Sequence, residues 1–399
     1  MTAPRTASRT ASRTASRPHH SAPPAAADED CILVLQGGGA LGAYQGGVFE
    51  ALSTVYREPT WVAGISIGAI NAALIAGNPA ATRVARLREF WELVSSAMPT
   101  PPLTPAGTAR STLNDASAAR AMLCGVPGFF KPRFPPAPLQ PPGTLEAISF
   151  YDTTPLRATL ERLVDFDRLN AGPMQLSVGA VNVRTGNFEY FDTERQRIDA
   201  RHIMASGALP PGFAPVEIDG EHYWDGGLVS NTPLQYVLDQ PGKRRRIVFQ
   251  VDLFPATGAL PANMAEVSER QKDIQFSSRT RLNTTHELDM QVVAQAAQRL
   301  LARLPPALRR DPDLQALARM RCESAIDVVH LIYRSKHYET QSKDYEFSRL
   351  SMLEHWDTGR ADMAHTLHHP RWAGRERNDS GVRVFDLTSE HPTVTGTRP

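Results

Sequence analysis

The chain has 399 residues, enough for one large folded domain with an appendage. Its formal net charge of +1 gives no electrostatic reason to expect nucleic acid as a partner. The three cysteines are scattered and form no Cys-x-x-Cys pair, which argues against a disulfide framework and against a zinc site. This cysteine usage fits a reducing compartment, and we expect a cytoplasmic protein.

The first thirty residues differ in composition from the rest. Thr-Ala-Ser-Arg occurs three times in tandem from Thr6 to Arg17, and no acidic residue precedes Asp28. Such a polar, basic segment cannot bury enough apolar surface to fold, so a disordered tail is predicted. The uncharged runs Cys31–Phe49 and Pro59–Thr82 contain glycines or polar residues and fit buried strands and helices better than a membrane span.

A glycine-rich loop follows the first apolar run, Cys31–Leu35, which predicts a buried strand. The loop reads Gly37-Gly38-Gly39-Ala40-Leu41-Gly42, and its unobstructed backbone N–H groups suit an anion. One interpretation is an oxyanion hole. The other is a dinucleotide site, but no acidic residue ends the second strand, since Glu58 precedes Trp61. The oxyanion hole is therefore favoured.

The second feature is Gly64-Ile65-Ser66-Ile67-Gly68, between the strand-like Trp61–Ala63 and the helix-like Ala69–Ala76. A serine flanked by glycines on a strand-to-helix turn is typical of an exposed nucleophile. The glycines give space to a strained backbone, and the following helix directs its positive end at the serine. The alternative is an ordinary turn, because the pattern is short and common.

A proline-rich insertion follows between Met98 and Gly143, with the apolar patch Val126–Phe130. It either caps a site or forms a surface loop, and the sequence does not decide between these. Leu156–Leu169 predicts an amphipathic helix. Strands are predicted at Gln175–Val183 and Phe188–Phe191.

The third feature is Asp225-Gly226-Gly227, behind Tyr223-Trp224 and ahead of Asn231-Thr232-Pro233. A carboxylate at such a glycine turn is accessible and could accept the proton of Ser66 as a general base. The alternative is a hairpin, because Asp-Gly is a strong hairpin signal.

The C-terminal third changes character. Ile247–Leu253 predicts another buried strand, and Glu266–Thr280 and Glu287–Leu304 have apolar residues at helical spacing. Ile326–Tyr333 predicts a further strand that completes the sheet, and the chain is expected to be loose after about His369.

Taken in order, the three glycine-containing motifs resemble those of the patatin-like phospholipase family. The stretches Asn182–Gly186 and Ala205–Pro215 also resemble segments of that family. The resemblance covers about Ile32 to Leu253, and Lys272–Arg281 resembles the C-terminal extension of a bacterial patatin-like subgroup. It implies a three-layer α/β/α fold with a largely parallel central sheet, plus a mainly helical C-terminal extension.

The resemblance also implies a Ser-Asp dyad, in which Ser66 is the nucleophile that attacks an acyl ester and Asp225 accepts its proton. No histidine, metal or cofactor is needed. The remaining implied residues are the oxyanion hole, Gly37, Gly38, Gly39 and Gly42, the elbow glycines Gly64 and Gly68, and the Asp-Gly motif glycines Gly226 and Gly227.

The chain departs from many family members at two positions. Gln36 stands where they have an aspartate, and Leu41 stands where they have an arginine in the glycine turn. Backbone donors survive both changes, so activity is still expected. Because this chain has no arginine in the glycine turn, it lacks a charge that would contribute to binding an anionic headgroup or to fixing the loop.

Several alternatives remain open from the sequence. The same dyad would serve an intracellular polyester depolymerase or another carboxylesterase, and a catalytically silent lipid-binding module is the alternative that is not an enzyme. A Ser-Asp-His triad is a further alternative. Its candidate histidines follow Asp225 and are His286, His330, His337, His355 and His365. His202 and His222 are expected at the surface or in turns.

The sequence thus divides into four parts. They are a disordered basic tail (1–30), a patatin-like catalytic domain (31–255) with the insertion at about 98–143, a mainly helical extension (260–370) and a loose tail (371–399). The expected partner is a lipid or other acyl-ester substrate, with peripheral membrane contact and no nucleic acid.

Overall fold

The computed structural model describes residues 29–55, 58–98, 107–240, 245–305, 311–318, 325–377 and 381–388. For residues 55, 278–292, 294, 295, 298 and 316–318 it describes the backbone alone. The predicted disordered tail lies outside these residues, apart from Glu29 and Asp30, which begin the first strand.

The described residues form one nine-stranded sheet and one short two-stranded pair. The strands are β1 (Glu29–Leu35), β2 (Trp61–Gly64), β3 (Lys131–Pro132), β4 (Tyr151–Asp152), β5 (Gln175–Asn182), β6 (Phe188–Asp192), β7 (Val216–Ile218), β8 (Glu221–Asp225), β9 (Arg245–Asp252), β10 (Ala325–Ile332) and β11 (Gly381–Asp386).

Helices connect most of these strands. The α-helices are α1 (Ala43–Val55), α2 (Ile67–Ala76), α3 (Arg83–Val94), α4 (Gly107–Cys124), α5 (Thr154–Leu163), α6 (Phe166–Ala171), α7 (Ala200–Ser206), α8 (Leu234–Asp239), α9 (Met264–Arg303), α10 (Pro312–Ala318), α11 (Arg349–His368) and α12 (Pro370–Ala373). Short 3₁₀ helices span Gly39–Gly42, Ala137–Leu139, Leu145–Ile148 and Gly226–Leu228. None of the helices in the described ranges is long and apolar enough to cross a bilayer.

The strand order in the large sheet is β11-β10-β9-β1-β2-β5-β8-β7, with β6 also paired to β5. The pairs from β11 to β5 are parallel, and those that involve β6, β7 or β8 run antiparallel. Because β1 and β2 are parallel neighbours, with Leu35 opposite Gly64, the loops that follow them emerge at the same edge of the sheet.

Apolar side chains cover both faces of the sheet. In β1, Leu33 and Leu35 belong to the larger core, whereas Ile32 and Val34 belong to a smaller one together with Leu234 of α8. Alternate residues of a strand point to opposite faces, and a parallel sheet is buried on both. The predicted α/β architecture with a largely parallel central sheet is confirmed.

The C-terminal part is built into this sheet. Strand β10 lies between β9 and β11, and α11 packs against α1. The helices approach closely because glycines face each other's backbone: a Cβ on Gly47 would lie 1.9 Å from the Trp356 carbonyl oxygen, and one on Gly359 would lie 2.0 Å from that of Tyr44.

Two predictions in this region need correction. The two helices expected at 266–280 and 287–304 are one continuous helix, α9, because no proline or glycine interrupts the intervening residues. The tail expected to be loose from residue 371 contains the end of α12 and strand β11, and Trp372 is fully buried against Phe249 and Phe385. Residues 389–399 lie outside the described part.

One predicted helix is instead two. The interval Leu156–Leu169 contains α5 and α6, and α6 begins at a cap in which the Asp165 side chain accepts a hydrogen bond from the Arg168 N–H at 2.9 Å. Aspartate favours such a helix start over a helix interior.

Candidate active site

Ser66 lies on a sharp turn between β2 and α2, as its sequence context predicts. Its φ of 54° lies in the left-handed region, which non-glycine residues rarely adopt. A Cβ on Gly64 would lie 2.3 Å from the Gly68 carbonyl oxygen, and one on Gly68 would lie 2.3 Å from that of Leu35. Both flanking glycines are therefore required by close backbone contacts.

Ser206, at the end of α7, holds the backbone of Ser66. The Ser66 N–H donates to the Ser206 carbonyl oxygen at 3.1 Å and to its hydroxyl at 3.0 Å. No local pattern marks Ser206 for this role, since its partner lies 140 positions away in the chain. This contact fixes the turn on which the Ser66 hydroxyl is presented.

Asp225 ends strand β8 and is only 2% exposed. One carboxyl oxygen accepts a hydrogen bond from the Gly227 N–H at 2.7 Å. Burial raises the pKa of Asp225 to about 7, although its interactions with the Ser66 side chain and the Gly227 N–H lower it. A carboxyl group with a pKa near neutrality is suited to accept and return a proton.

The turn after Asp225 is not a hairpin, so that alternative is wrong. A 3₁₀ helix, Gly226–Leu228, follows the aspartate directly. A Cβ on Gly226 would lie 2.6 Å from the Gly179 carbonyl oxygen of β5, which explains the glycine. The hairpin between β7 and β8 instead turns at Asp219-Gly220, both of which have positive φ.

The glycine loop after β1 runs beside Ser66. A Cβ on Gly37 would lie 3.1 Å from the Ser66 Cβ. Gly37 and Asn231 form a reciprocal pair: the Gly37 N–H donates to the Asn231 carbonyl oxygen at 3.1 Å, and the Asn231 side-chain amide donates to the Gly37 carbonyl oxygen at 3.0 Å. Asn231 thus ties the loop to the segment that carries Asp225.

Of the four glycines predicted to form the oxyanion hole, only two are placed to donate an N–H group to a substrate. The Gly37 N–H already donates to the Asn231 carbonyl oxygen. Gly42 is buried against Ile67 and Trp91 and does not line the cavity that contains Ser66. For the N–H groups of Gly38 and Gly39, the described part of the chain provides no acceptor. These two remain as candidate donors.

The far side of the loop rests on the C-terminal part. The Ala40 N–H donates to the Asp344 carbonyl oxygen at 2.7 Å. Gly39 has a φ of +53°, and a Cβ there would lie 2.0 Å from the same oxygen. The sequence carries no local signal for this contact, because Asp344 lies in a loop more than three hundred residues further on.

The two residues that depart from many family members both have structural partners. The Gln36 side-chain oxygen accepts from the N–H groups of Leu253 and Phe254 at 2.6 and 3.0 Å, and its amide donates to the Thr232 hydroxyl at 2.9 Å. Leu41 is completely buried in the larger core. This loop is therefore fixed without an arginine.

Ser66 and Asp225 line a cavity of about 460 Å³. Gly37, Gly38 and Gly39 lie on its wall, and most of the remaining lining is apolar. The insertion contributes Met122, Phe129 and Phe130 to that wall. The aromatic residues of the lining are Phe129, Phe130, Phe150, Tyr151, Phe213, Phe254, Phe276, Tyr345 and Phe347.

No histidine of the described ranges lines this cavity. His355, one of the triad candidates, is buried elsewhere and contacts Glu339 at 2.6 Å, and His202 caps α7 through Asp199. His286 lies where side chains are outside the described part. Within the described residues, no group of three His, Cys, Asp or Glu side chains could hold a metal ion.

A strand-loop-helix serine turn, a buried carboxyl group and a glycine loop together define an α/β protein with a serine site of hydrolase type. Residues 33–238 match the family model described as "Patatin-like phospholipase", and residues 274–379 match a second described as "Patatin phospholipase". The chain belongs to the patatin-like phospholipase family and carries its C-terminal extension. Members of this family are lipid acyl hydrolases, and the dinucleotide interpretation of the glycine loop is set aside.

Two solved structures are similar to this chain. VipD from Legionella pneumophila has 13% sequence identity and a TM-score of 0.36, over 86% of this chain and 67% of that one. ExoU of Pseudomonas aeruginosa, crystallised with SpcU, has 14% identity and a TM-score of 0.29, over 73% and 68%. The comparison with curated proteins gave no significant match.

Proposed function

We propose that this protein hydrolyses carboxylic esters of lipids with Ser66 as nucleophile and Asp225 as proton acceptor. The observation that carries the proposal is that Ser66, on its strained turn, and the buried Asp225 line the same apolar cavity. Family membership supports the general class of reaction. The cavity lining supports a substrate with an apolar acyl chain.

The chemistry proceeds in two halves. Ionised Asp225 takes the proton of the Ser66 hydroxyl as the serine oxygen attacks the ester carbonyl carbon. The N–H groups of Gly38 and Gly39 donate to the oxyanion that forms. When the tetrahedral intermediate collapses, Asp225 returns the proton to the leaving alcohol, and an acyl-Ser66 ester remains.

Water completes the reaction. Asp225 takes a proton from a water molecule that attacks the acyl carbonyl, and the same N–H groups hold the second oxyanion. Collapse releases the carboxylic acid and returns the proton to Ser66. Asp225 works as base and acid in turn, which a pKa near 7 favours.

The test uses a soluble p-nitrophenyl ester and a serine-reactive fluorophosphonate probe. We expect Ser66→Ala to abolish labelling, and Ser66→Ala and Asp225→Asn each to lower kcat/KM by roughly a thousandfold or more. Ser96→Ala and Asp219→Asn are matched controls, because both residues are exposed and away from the cavity. Circular dichroism checks that each variant is folded.

Two results would contradict the proposal. If Ser66→Ala hydrolyses the ester as fast as the parent, Ser66 is not the nucleophile. If the parent protein is neither labelled nor active, the silent lipid-binding module is the better description. A panel of phospholipids, neutral glycerides and polyesters then separates the substrate classes that share this chemistry.

A further inference from the structure

Exposed apolar side chains are concentrated between residues 122 and 150, a segment that also contributes to the cavity wall. Of the sixteen large apolar side chains that are exposed in the described residues, seven lie between residues 122 and 150, and an eighth is Leu209. Phe134 is 95% exposed, Leu123 78% and Leu139 75%. We call these eight residues the apolar rim. A clustered apolar surface of this kind marks an interaction site more often than scattered exposed residues do.

The segments that carry the apolar rim are held together by hydrogen bonds. The Tyr151 hydroxyl donates to the Met122 carbonyl oxygen at 2.8 Å, which joins the end of α4 to β4. The Phe150 N–H donates to the Pro211 carbonyl oxygen at 3.1 Å, which joins the residue before β4 to the turn that carries Leu209. Three segments distant in sequence are thereby fixed together.

The inner side of the same insertion is well packed. Phe129 and Phe130 are buried, and their rings lie 6.0 and 5.2 Å from that of Phe213. Arg133 is held to Ser149 by a hydrogen bond of 2.9 Å. The exposed apolar side chains therefore belong to a segment that is packed against the rest of the protein, and they remain exposed in the folded state.

The apolar rim is continuous with the cavity. Met122, Phe150 and Leu209 are exposed and also line the cavity wall next to the catalytic residues. An acyl chain could pass from an apolar phase at the rim into the cavity without crossing water. A second copy of the chain at this surface would instead cover the mouth.

From this continuity we propose that the apolar rim docks on the surface of a phospholipid bilayer and presents the cavity mouth to it. The inference rests on the proposed function for its substrate. Apolar side chains on a surface insert to the depth of the lipid headgroups and acyl-chain boundary, and binding grows with the apolar area buried.

The test measures binding separately from catalysis. Ser66→Ala protein is sedimented with sucrose-loaded vesicles of phosphatidylcholine, whose zwitterionic headgroups exclude a contribution from the basic N-terminal sequence. In this background, Phe134→Ser with Leu139→Ser and Ile148→Ser should weaken vesicle partitioning roughly tenfold or more, because three exposed apolar contacts are lost. The matched control, Leu260→Ser with Met264→Ser and Leu353→Ser, removes exposed apolar residues elsewhere and should bind as the parent does.

The active protein provides the second measurement. The substituted rim residues do not line the cavity, so the triple rim variant should keep kcat/KM on the soluble ester and lose activity on vesicles. The docking proposal would be contradicted if the rim variant and the parent partitioned equally to vesicles, or if the parent did not partition to them at all. Dimerisation that the rim substitutions abolish, without vesicle binding, would identify a second copy as the occupant and overturn it too. An inactive parent that still partitions would contradict the proposed function alone.

Discussion

Asp225 is the residue whose environment most affects the proposed chemistry. Its carboxyl group is buried, and burial disfavours the charged form, so its pKa is raised to about 7. Interactions with the Ser66 side chain and the Gly227 N–H lower it by less. Only the ionised form can take the Ser66 proton. The fraction of active protein therefore depends on pH near neutrality.

The pH dependence follows from the direction of that shift. Below a pH of about 7 Asp225 is mostly protonated, so kcat/KM should rise with pH and level off above it, with an apparent midpoint near 7. An exposed aspartate would give a midpoint near its ordinary value of 3.8. The measurement is kcat/KM for a soluble ester across this range, with Asp219→Asn as control. A rate constant that does not change with pH above 5 would contradict Asp225 as the base.

Most residues of the candidate site could be predicted from the sequence, and the structure brings Ser66, Asp225 and the glycine loop to one cavity. Gly64 and Gly68 are recognisable because close backbone contacts require glycine there. Ser66 and Asp225 are recognisable because a serine between such glycines and a carboxylate ahead of a glycine pair are typical of a nucleophile and a base. The N–H donors were predicted less well. Whether a glycine N–H is free depends on acceptors such as Asn231 and Asp344, which come from distant parts of the chain.

At the scale of elements, the glycine loop depends on the segment between β10 and α11. Lys343, with its side chain fully buried, contacts Glu269 at 2.9 Å and Asp273 at 2.8 Å, both on α9. Its neighbour Asp344 accepts the Ala40 N–H, and Lys272 of α9 pairs with the Asp344 carboxylate at 2.7 Å. Helix α9 thereby positions the loop that carries Gly38 and Gly39.

Gly39→Ala tests this arrangement. The added methyl group would lie 2.0 Å from the Asp344 carbonyl oxygen, so the loop must shift and the oxyanion donors with it. We expect kcat on the soluble ester to fall roughly a hundredfold or more, as when an oxyanion donor is lost. The measurement compares kcat with the thermal midpoint of unfolding.

Gly186→Ala is the matched control. Gly186 also has a positive φ, +71°, but a Cβ there meets nothing within 4 Å. Both variants carry the same kind of backbone strain, so a loss of kcat in both would assign the effect to strain and not to displacement of the loop.

The elements themselves were predicted with uneven success. Strands β1, β2, β5, β9 and β10 were predicted because their apolar runs are bounded by turn residues. Strand β11 was not, because Val382, Arg383 and Val384 are only half-buried at the sheet edge and give a weak pattern. The continuity of α9 was not predicted, because apolar spacing alone does not show where one helix ends and another begins.

At the scale of the whole molecule, the catalytic part and the C-terminal extension form one body. The extension contributes β10 and β11 to the central sheet and buries Trp356 of α11 completely against α1. The sequence divides into a catalytic domain and an extension, but the strand predicted at Ile326–Tyr333 already links the extension to the sheet, as β10 does. The folded chain should unfold as one cooperative unit.

Gly359→Ala tests whether the catalytic part and the C-terminal extension unfold as one unit. Its methyl group would lie 2.0 Å from the Tyr44 carbonyl oxygen of α1, so the two helices must separate. We expect the free energy of unfolding to fall by about 1–3 kcal/mol. Esterase activity and circular dichroism should be lost together in a urea titration, whereas Arg360→Ala, on the exposed face of the same helix, should behave like the parent. Two separate transitions would contradict a single body.

The segment from Asp344 to Phe347 has a consequence for changing the enzyme's selectivity. Tyr345 and Phe347 line the cavity, while the carbonyl group of Asp344 supports the glycine loop. A substitution that reshapes the cavity here also moves the support of Gly38 and Gly39, the proposed oxyanion donors. Acyl-chain preference and turnover rate are therefore coupled at these positions, and a library that varies Tyr345 or Phe347 has to be selected for both properties at once.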